Sequence, residues 1–372
     1  MKLTDVVNRI NGNVDRFTTD LEYYIGGEHF ESNELEVTQK GILKENLGKL
    51  GFKFHFAFQD RDVIFMARNP HLRKAGMVRF AGLCSDASYI LRSKDESVLS
   101  QEYLAVMLQS NHFWDYCESH KVGSVNFANN WSSIANYEFD LPSPEYQKEV
   151  SDKVWAAYRL KKSYRQLLAA TQEMVKSQFI EMFKDKEPNG KISDLVDTDI
   201  KSVKKSFSKD DSIEYIDISS VDAMNRSIKE TTQHVVHSAP SRAQQCVVKG
   251  DILVSTVRPV NRNIALINRN LSNLVASTGF CVLRPKANYR EYLLSIVTSD
   301  KFTDKMCDIA SGGLYPAVNN GDVLSYEIFI PDEETLNRVT SIYQQADKSE
   351  FELRKSIESI DKVIKSLINY NA

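Results

Sequence analysis

Two stretches of the chain carry an apolar stripe at helical spacing for longer than a globular helix needs. In the C-terminal stretch, Leu336, Val339, Tyr343, Ala346, Glu350, Leu353, Ile357, Ile360, Ile364 and Leu367 follow one another at alternating intervals of three and four. No proline or glycine interrupts that run. A sustained three–four alternation predicts a long helix packed against another helix. The same stripe is written earlier as Gln147, Val150, Val154, Ala157, Lys161, Tyr164, Leu168, Thr171, Val175 and Gln178, each 189 residues before its counterpart. At 1.5 Å per residue either stretch makes a rod of about 55 Å. One rod cannot bury its own stripe, but two can bury each other's, and copies related by a two-fold axis lie antiparallel.

Upstream of each stripe the pattern changes to short β-branched runs bounded by turns. "DILVSTV" (Asp251–Val257) precedes Pro259, and Ile264–Ile267 and Gly279–Pro285 read as further strands. Arg290–Ala310 reads as helix, with Leu293, Ile296 and Val297 on one face. The interval of 189 recurs here too. Pro142 returns as Pro331, Asp62 as Asp251, Pro70 as Pro259, Arg73 as Arg262 and Phe113 as Phe302. Tyr89–Arg92 matches Cys281–Arg284 once a gap of three is allowed. A repeat this long is a duplicated domain, not a solenoid motif. The expected fold class is α+β: mixed α/β domains at 1–143 and 187–331, each followed by a long helix, at 144–186 and 332–372. The two helices are expected to pack as an antiparallel coiled coil with pseudo-two-fold symmetry. Lys161 and Glu350 interrupt the stripes at equivalent positions with opposite charge, and are expected to pair and set the register. The alternative is that both reach for water.

Composition narrows the function less than the pattern does. A chain of 372 residues, 42% hydrophobic and 26% charged, fits a soluble protein of two or three domains. The net charge of −3 gives no bulk support to a nucleic-acid partner, so any basic surface must be local. The N-terminus lacks the apolar segment of a signal peptide, and no run approaches a membrane span, so a cytoplasmic protein with no membrane partner is expected. Cys84, Cys117, Cys246, Cys281 and Cys307 stand apart and read as reduced thiols.

Catalytic motifs are missing. "NPHL" (Asn69–Leu72) approaches the Asn-Pro-Pro-aromatic motif of amino-methyltransferases, but lacks the second proline and the ring. There is no glycine-rich nucleotide loop, Walker loop or His-Glu-x-x-His. His234 and His237 have no third ligand at metal spacing. Asp62 and Asp251 read as turn caps. No catalytic residue, metal or cofactor is therefore expected in this chain. What remains is polar loops suited to DNA. One pair holds Arg68, Asn69, His71, Arg73 and Lys74, and Arg258, Asn261, Arg262 and Asn263. A second pair, "KVGSVNFANN" (Lys121–Asn130) and "SGGLYPAVNN" (Ser311–Asn320), offers Ser124, Asn126, Gly312, Gly313 and Asn319. Arginine and asparagine make bidentate contacts to base edges, and cations and free N–H groups hold phosphates. Solvated turns are the competing reading.

Taken together, "GDILVSTVRP", "YEFDLPSPEYQKEV" with "YEIFIPDEE", and the helices ending "MVKSQFIEMF" and "VIKSLINYNA" resemble the specificity subunits of type I restriction–modification systems. The resemblance implies two target recognition domains held by an antiparallel coiled coil. It also implies an asymmetric bipartite site on double-stranded DNA. The implied partners are two modification subunits, which hold S-adenosylmethionine and methylate adenine, and motor–nuclease restriction subunits. Trp155 and Phe179 are then candidate docking points for the modification subunits, unless they pack on the chain's own globules. The family's Leu-x-Glu-Gln after the proline survives in part as Gln147, while the second copy has Leu336. Alternatives are a recognition scaffold of another restriction–modification class, an enzyme with unread motifs, and a coiled-coil adaptor that binds no DNA.

Overall fold

The computed structural model describes residues 1–286 and 288–370. Two helices dominate it, α1 (Pro144–Phe183) and α2 (Glu333–Tyr370). The chain divides into two compact units, and the division cuts both helices. Unit 1 is Met1–Leu167 with the chain from Leu353 onward; unit 2 is Leu168–Glu352. Each half-helix belongs to the core of one globule.

Unit 1 has eight principal strands: β1 (Val7–Ile10), β2 (Tyr23–Ile25), β3 (Gly41–Ile42), β4 (Phe54–Phe58), β5 (Val63–Met66), β6 (Ala75–Met77), β7 (Gly82–Ser85) and β8 (Ser88–Ser93). An inner antiparallel sheet has the order β1-β8-β5-β6. An outer sheet has the order β3-β2-β7-β4, with β2 and β7 parallel. In β5, Val63 and Phe65 face the helices, while Ile64 and Met66 face the core shared with the outer sheet. A strand covered on both faces needs an unbroken apolar run, which is why "VIFM" does not alternate. Val150, Val154, Trp155 and Tyr158 of α1, and Ile364 and Ile368 of α2, complete the helix-side core.

Unit 2 has β9 (Val196–Asp197), β10 (Ser212–Ile216), β11 (Thr232–Val235), β12 (Ala243–Cys246), β13 (Ile252–Ser255), β14 (Ile264–Leu266), β15 (Leu274–Ser277) and β16 (Phe280–Pro285). Its sheets run β9-β16-β13-β14 and β11-β10-β15-β12, with β10 and β15 parallel. Each order of unit 1 thus recurs with eight added to every label. Ile252 and Val254 face the helix side and Leu253 the other face. Here the last part of α1 (Phe179, Met182, Phe183) packs with the first part of α2 (Leu336, Val339, Tyr343).

The helix residues singled out in the sequence make contacts within their own units. Trp155 is buried, and its Nε1–H donates to the Glu102 carbonyl at 3.2 Å. Phe179 packs on the rings of Phe183 and Tyr292. Trp155 is buried and Phe179 half-buried in these contacts, because a helix packed on both a globule and another helix needs an apolar arc wider than the heptad stripe. Lys161 is 4% exposed, and its Nζ lies 2.7 Å from Glu34 Oε1 and 2.6 Å from Asp361 Oδ1, all within unit 1. Glu350 instead accepts from Gln172 Nε2 at 3.1 Å in unit 2. Across the two helices position 161 meets 361, eleven residues beyond Glu350, so equivalence by the repeat does not mark the facing position.

Candidate nucleic-acid interface

Each inner sheet delivers the chain into a strained loop. After β5, Asn69 (φ 53°) enters the left-handed region, Pro70–Leu72 forms a 3-10 turn, and Arg73 (φ 49°) leaves it. After β13, Arg258 (φ 50°), Pro259–Asn261 and Arg262 (φ 49°) do the same. Proline at the first turn position supplies the fixed φ a helical start needs. The left-handed residues on either side are strained by about 1–3 kcal/mol each, and for arginine no local side-chain bond offsets it.

A second loop holds each of these turns in place. In unit 1, Asn69 N–H donates to Phe127 O at 2.8 Å and Asn129 N–H to Ala67 O at 2.9 Å. Val122 and Ala128 exchange N–H···O bonds of 2.8 and 2.9 Å, closing a tight loop whose Gly123 has φ 106°. In unit 2, Arg258 N–H donates to Pro316 O at 2.7 Å and Val318 N–H to Thr256 O at 2.9 Å. Ser311 and Ala317 exchange bonds of 3.0 and 2.9 Å around Gly312, whose φ is again 106°. Equivalent bonds join equivalent positions in both units.

The side chains on these two frames differ. Unit 1 exposes Arg68, His71, Ser124, Val125 and Asn126, with Asn69 half-buried. Unit 2 exposes Arg258, Val260, Asn261, Leu314 and Tyr315, with Asn263 half-buried. Arg258 stacks over the Tyr315 ring at 4.5 Å. The backbones of Gly312 and Gly313 are exposed at the tip. Leu314 and Val125, at matching tip positions, are among the most exposed apolar residues, at 87% and 83%. Sequence reasoning passed over Val125, Leu314 and Tyr315, because it sought polar residues; their signal was apolar character inside a glycine turn.

Several expected contact residues are engaged inside their own unit. Arg73 donates to Asn111 Oδ1 at 2.7 Å, and Arg262 lies 2.6 Å from Asp300 Oδ1, the equivalent position. Hydrogen bonds from Arg262, then from Lys176, hold the Asp300 carboxyl below the usual carboxylate range. Lys74 donates to Gly27 O at 2.7 Å, and the Asn319 carboxamide accepts from Asp322 N–H at 3.0 Å as a helix cap. These four brace the loops; Arg68, Arg258 and the tip residues remain presented.

The other sequence candidates are structural in their contacts. Asp62 accepts from Gln59 N–H at 2.9 Å and takes a bidentate grip from Arg92 at 2.7 and 2.9 Å. Asp251 repeats this with Val248 and Arg284 at 2.9, 2.9 and 2.8 Å. His234 bonds Thr232 and His237 bonds the Lys209 carbonyl, and no His/Cys/Asp/Glu group suited to a metal occurs among the described residues. No described helix is long and apolar enough to cross a membrane.

No protein-family model matches the chain. A curated relative, the type I restriction enzyme HindI specificity subunit of Haemophilus influenzae, is 30% identical over 155 residues, which is 40% of this chain and 34% of the relative. The match therefore spans about a third of that relative's length. Among solved structures, the S subunit of a type I restriction–modification system from M. genitalium aligns over 100% of this chain and 95% of its own, with TM-score 0.55 and 10% identity. A chain from a structure of type I R-M complex assembly and conformational transition aligns over 99% and 95%, with TM-score 0.54 and 16% identity. These likenesses establish a shared mixed α/β fold with long helices.

Proposed function

We propose that this chain is the DNA-recognition subunit of a type I restriction–modification complex. On this reading it carries no catalytic site. It binds duplex DNA at an asymmetric bipartite target and recruits two modification subunits, which hold S-adenosylmethionine and methylate adenine, together with motor–nuclease restriction subunits. The two units are copies of one ancestral unit, and α1 and α2 form an antiparallel coiled coil between target recognition domains at 1–143 and 187–331.

The observation that carries the proposal is the pair of frames with unlike side chains. Asn69, Gly123 and the bonds to Phe127 have counterparts in Arg258, Gly312 and the bonds to Pro316. Yet Asn126 stands where unit 2 has Tyr315, and Ser124 where it has Gly313. A fixed backbone with exchanged exposed groups is what reading two different half-sites requires, because phosphate contacts position and base-edge contacts specify. The specificity-subunit relative and the shared fold point the same way.

The test is to assemble the full chain with its modification subunit and map methylated adenines across a genome. Two unlike half-sites separated by a fixed gap are expected. A palindromic or uninterrupted target, or methyl transfer from labelled S-adenosylmethionine by the chain alone, overturns the proposal.

A further inference from the structure

Equivalent positions at one end of the two outer sheets differ sharply in charge. In unit 2, Ser202 bridges Gln245, and Cys246 N–H donates to Lys201 O at 2.9 Å, so the helical turn Val203–Ser206 lies along β12. Val203 and Phe207 pack inward, leaving Lys201, Lys204 and Lys205 exposed. Exposed Arg242 precedes β12, and its carbonyl accepts Thr278 N–H at 2.9 Å. The next residue, Gly279, accepts Thr256 N–H at 2.9 Å, and Thr256 leads directly into the Arg258 loop. Backbone bonds thus link the four cations to the loop that presents Arg258. None of the four makes an ion pair among the described residues.

Unit 1 has the same frame without the charge. Asn13 bridges Phe56 where Ser202 bridges Gln245, and Asp86 N–H donates to Lys53 O at 3.1 Å where Thr278 meets Arg242. The matching side chains are Gly12, Asp15, Arg16 and Lys53. Lys53 pairs with Asp86 at 3.3 Å, and Thr278 at the position of Asp86 leaves Arg242 without that carboxylate. Over the matched positions, Asp15 and Asp86 cancel Arg16 and Lys53 to give zero, while Lys201, Lys204, Lys205 and Arg242 give +4.

We propose that Lys201, Lys204, Lys205 and Arg242 bind backbone phosphates of duplex DNA, so that unit 2 grips its half-site through sequence-independent contacts that unit 1 lacks. The proposal rests on the reading of the chain as a DNA-recognition subunit. In a chain of net charge −3, four clustered, unpaired cations provide a local surface complementary to phosphate. Each phosphate they neutralise releases counterions and steepens the fall of log K with log salt by about 0.9.

The experiment is a salt titration of binding by the full chain assembled with its modification subunits, on DNA carrying the mapped target and on unrelated DNA. The variant K201Q/K204Q/K205Q/R242Q should lower the slope by about 3 to 4 on both DNAs and leave the methylated sequence unchanged. K201R/K204R/K205R should keep the wild-type slope, and so should K53Q in unit 1. A folded, assembled glutamine variant with the wild-type slope overturns the proposal. So does loss of subunit assembly with no change of slope, which would mark a protein-docking surface. If the wild-type complex prefers no mapped target, the recognition reading fails, while the slopes on unrelated DNA still decide the patch.

Discussion

At the residue scale, the loops depend on a few backbone positions that only certain side chains tolerate. Gly123 and Gly312 share a φ of 106°, and a Cβ at Gly123 would stand 2.6 Å from Asn126 O against 3.0 Å from Tyr315 O at Gly312. Alanine at either position should cost about 1–3 kcal/mol, with Gly123→Ala the worse of the two. Denaturant unfolding of both variants checks the order. Asp251 offers a second prediction. It is 1% exposed and holds both the Val248 turn and the Arg284 guanidinium. Asp251→Ala leaves that cation without its buried partner and should cost about 3–5 kcal/mol, with Asp62→Ala equivalent in unit 1. A melting temperature unchanged by either substitution would contradict this. Asp62 and Asp251 were legible as structural from their place after a turn. Arg73 and Arg262 were not, because their partners Asn111 and Asp300 lie 38 residues along the chain in both units, and residue type alone does not say where a cation points.

At the scale of elements, the long helices were legible because a three–four stripe has only one good explanation, and α1 and α2 begin within a residue of the expected starts. Their register was not legible. Sliding one helix by seven residues preserves the stripe, so polar residues decide it. The polar contact across the helices is Lys161 with Asp361, and Glu34, which no heptad pattern reveals, reaches the same Lys161 from the globule of unit 1. A double-mutant cycle on Lys161→Met and Asp361→Asn should give a coupling of about 0.5–3 kcal/mol, while Lys161→Met with Glu350→Gln should be additive within about 0.5 kcal/mol. Coupling in the second cycle alone would restore the pairing by equivalence. If α1 and α2 also set the gap of the target, removing facing heptads from both shortens them by about 10 Å, or about three base pairs. Three base pairs also turn the duplex by about 100°, which the deletion does not match, so the shorter gap should come with weaker binding. An unchanged gap in methylation maps rules out helices as the spacer.

At the scale of the whole molecule, loops 189 positions apart carry matching backbone bonds, but how those loops are built was not legible in the sequence. The outer sheets were the least legible part. Strands as short as Tyr23–Ile25 and Gly41–Ile42 give no periodic signal, and their pairing, including parallel β2 with β7, is a matter of long-range contact. On the proposed reading, what the two units share is frame and what they exchange is specificity. That division makes a prediction the single units cannot make. Giving unit 1 the tip of unit 2 through S124G, V125L and N126Y leaves Gly123 and the Val122–Ala128 bonds in place, since those bonds are made by backbone. The exposed surface changes in unit 1 alone. Methylation mapping of the assembled variant should therefore find one half-site altered and the other intact, because each good base contact is worth about 1–3 kcal/mol of local discrimination. If both half-sites change together, or neither changes while DNA is still bound, the tips are not where the two sequences are told apart.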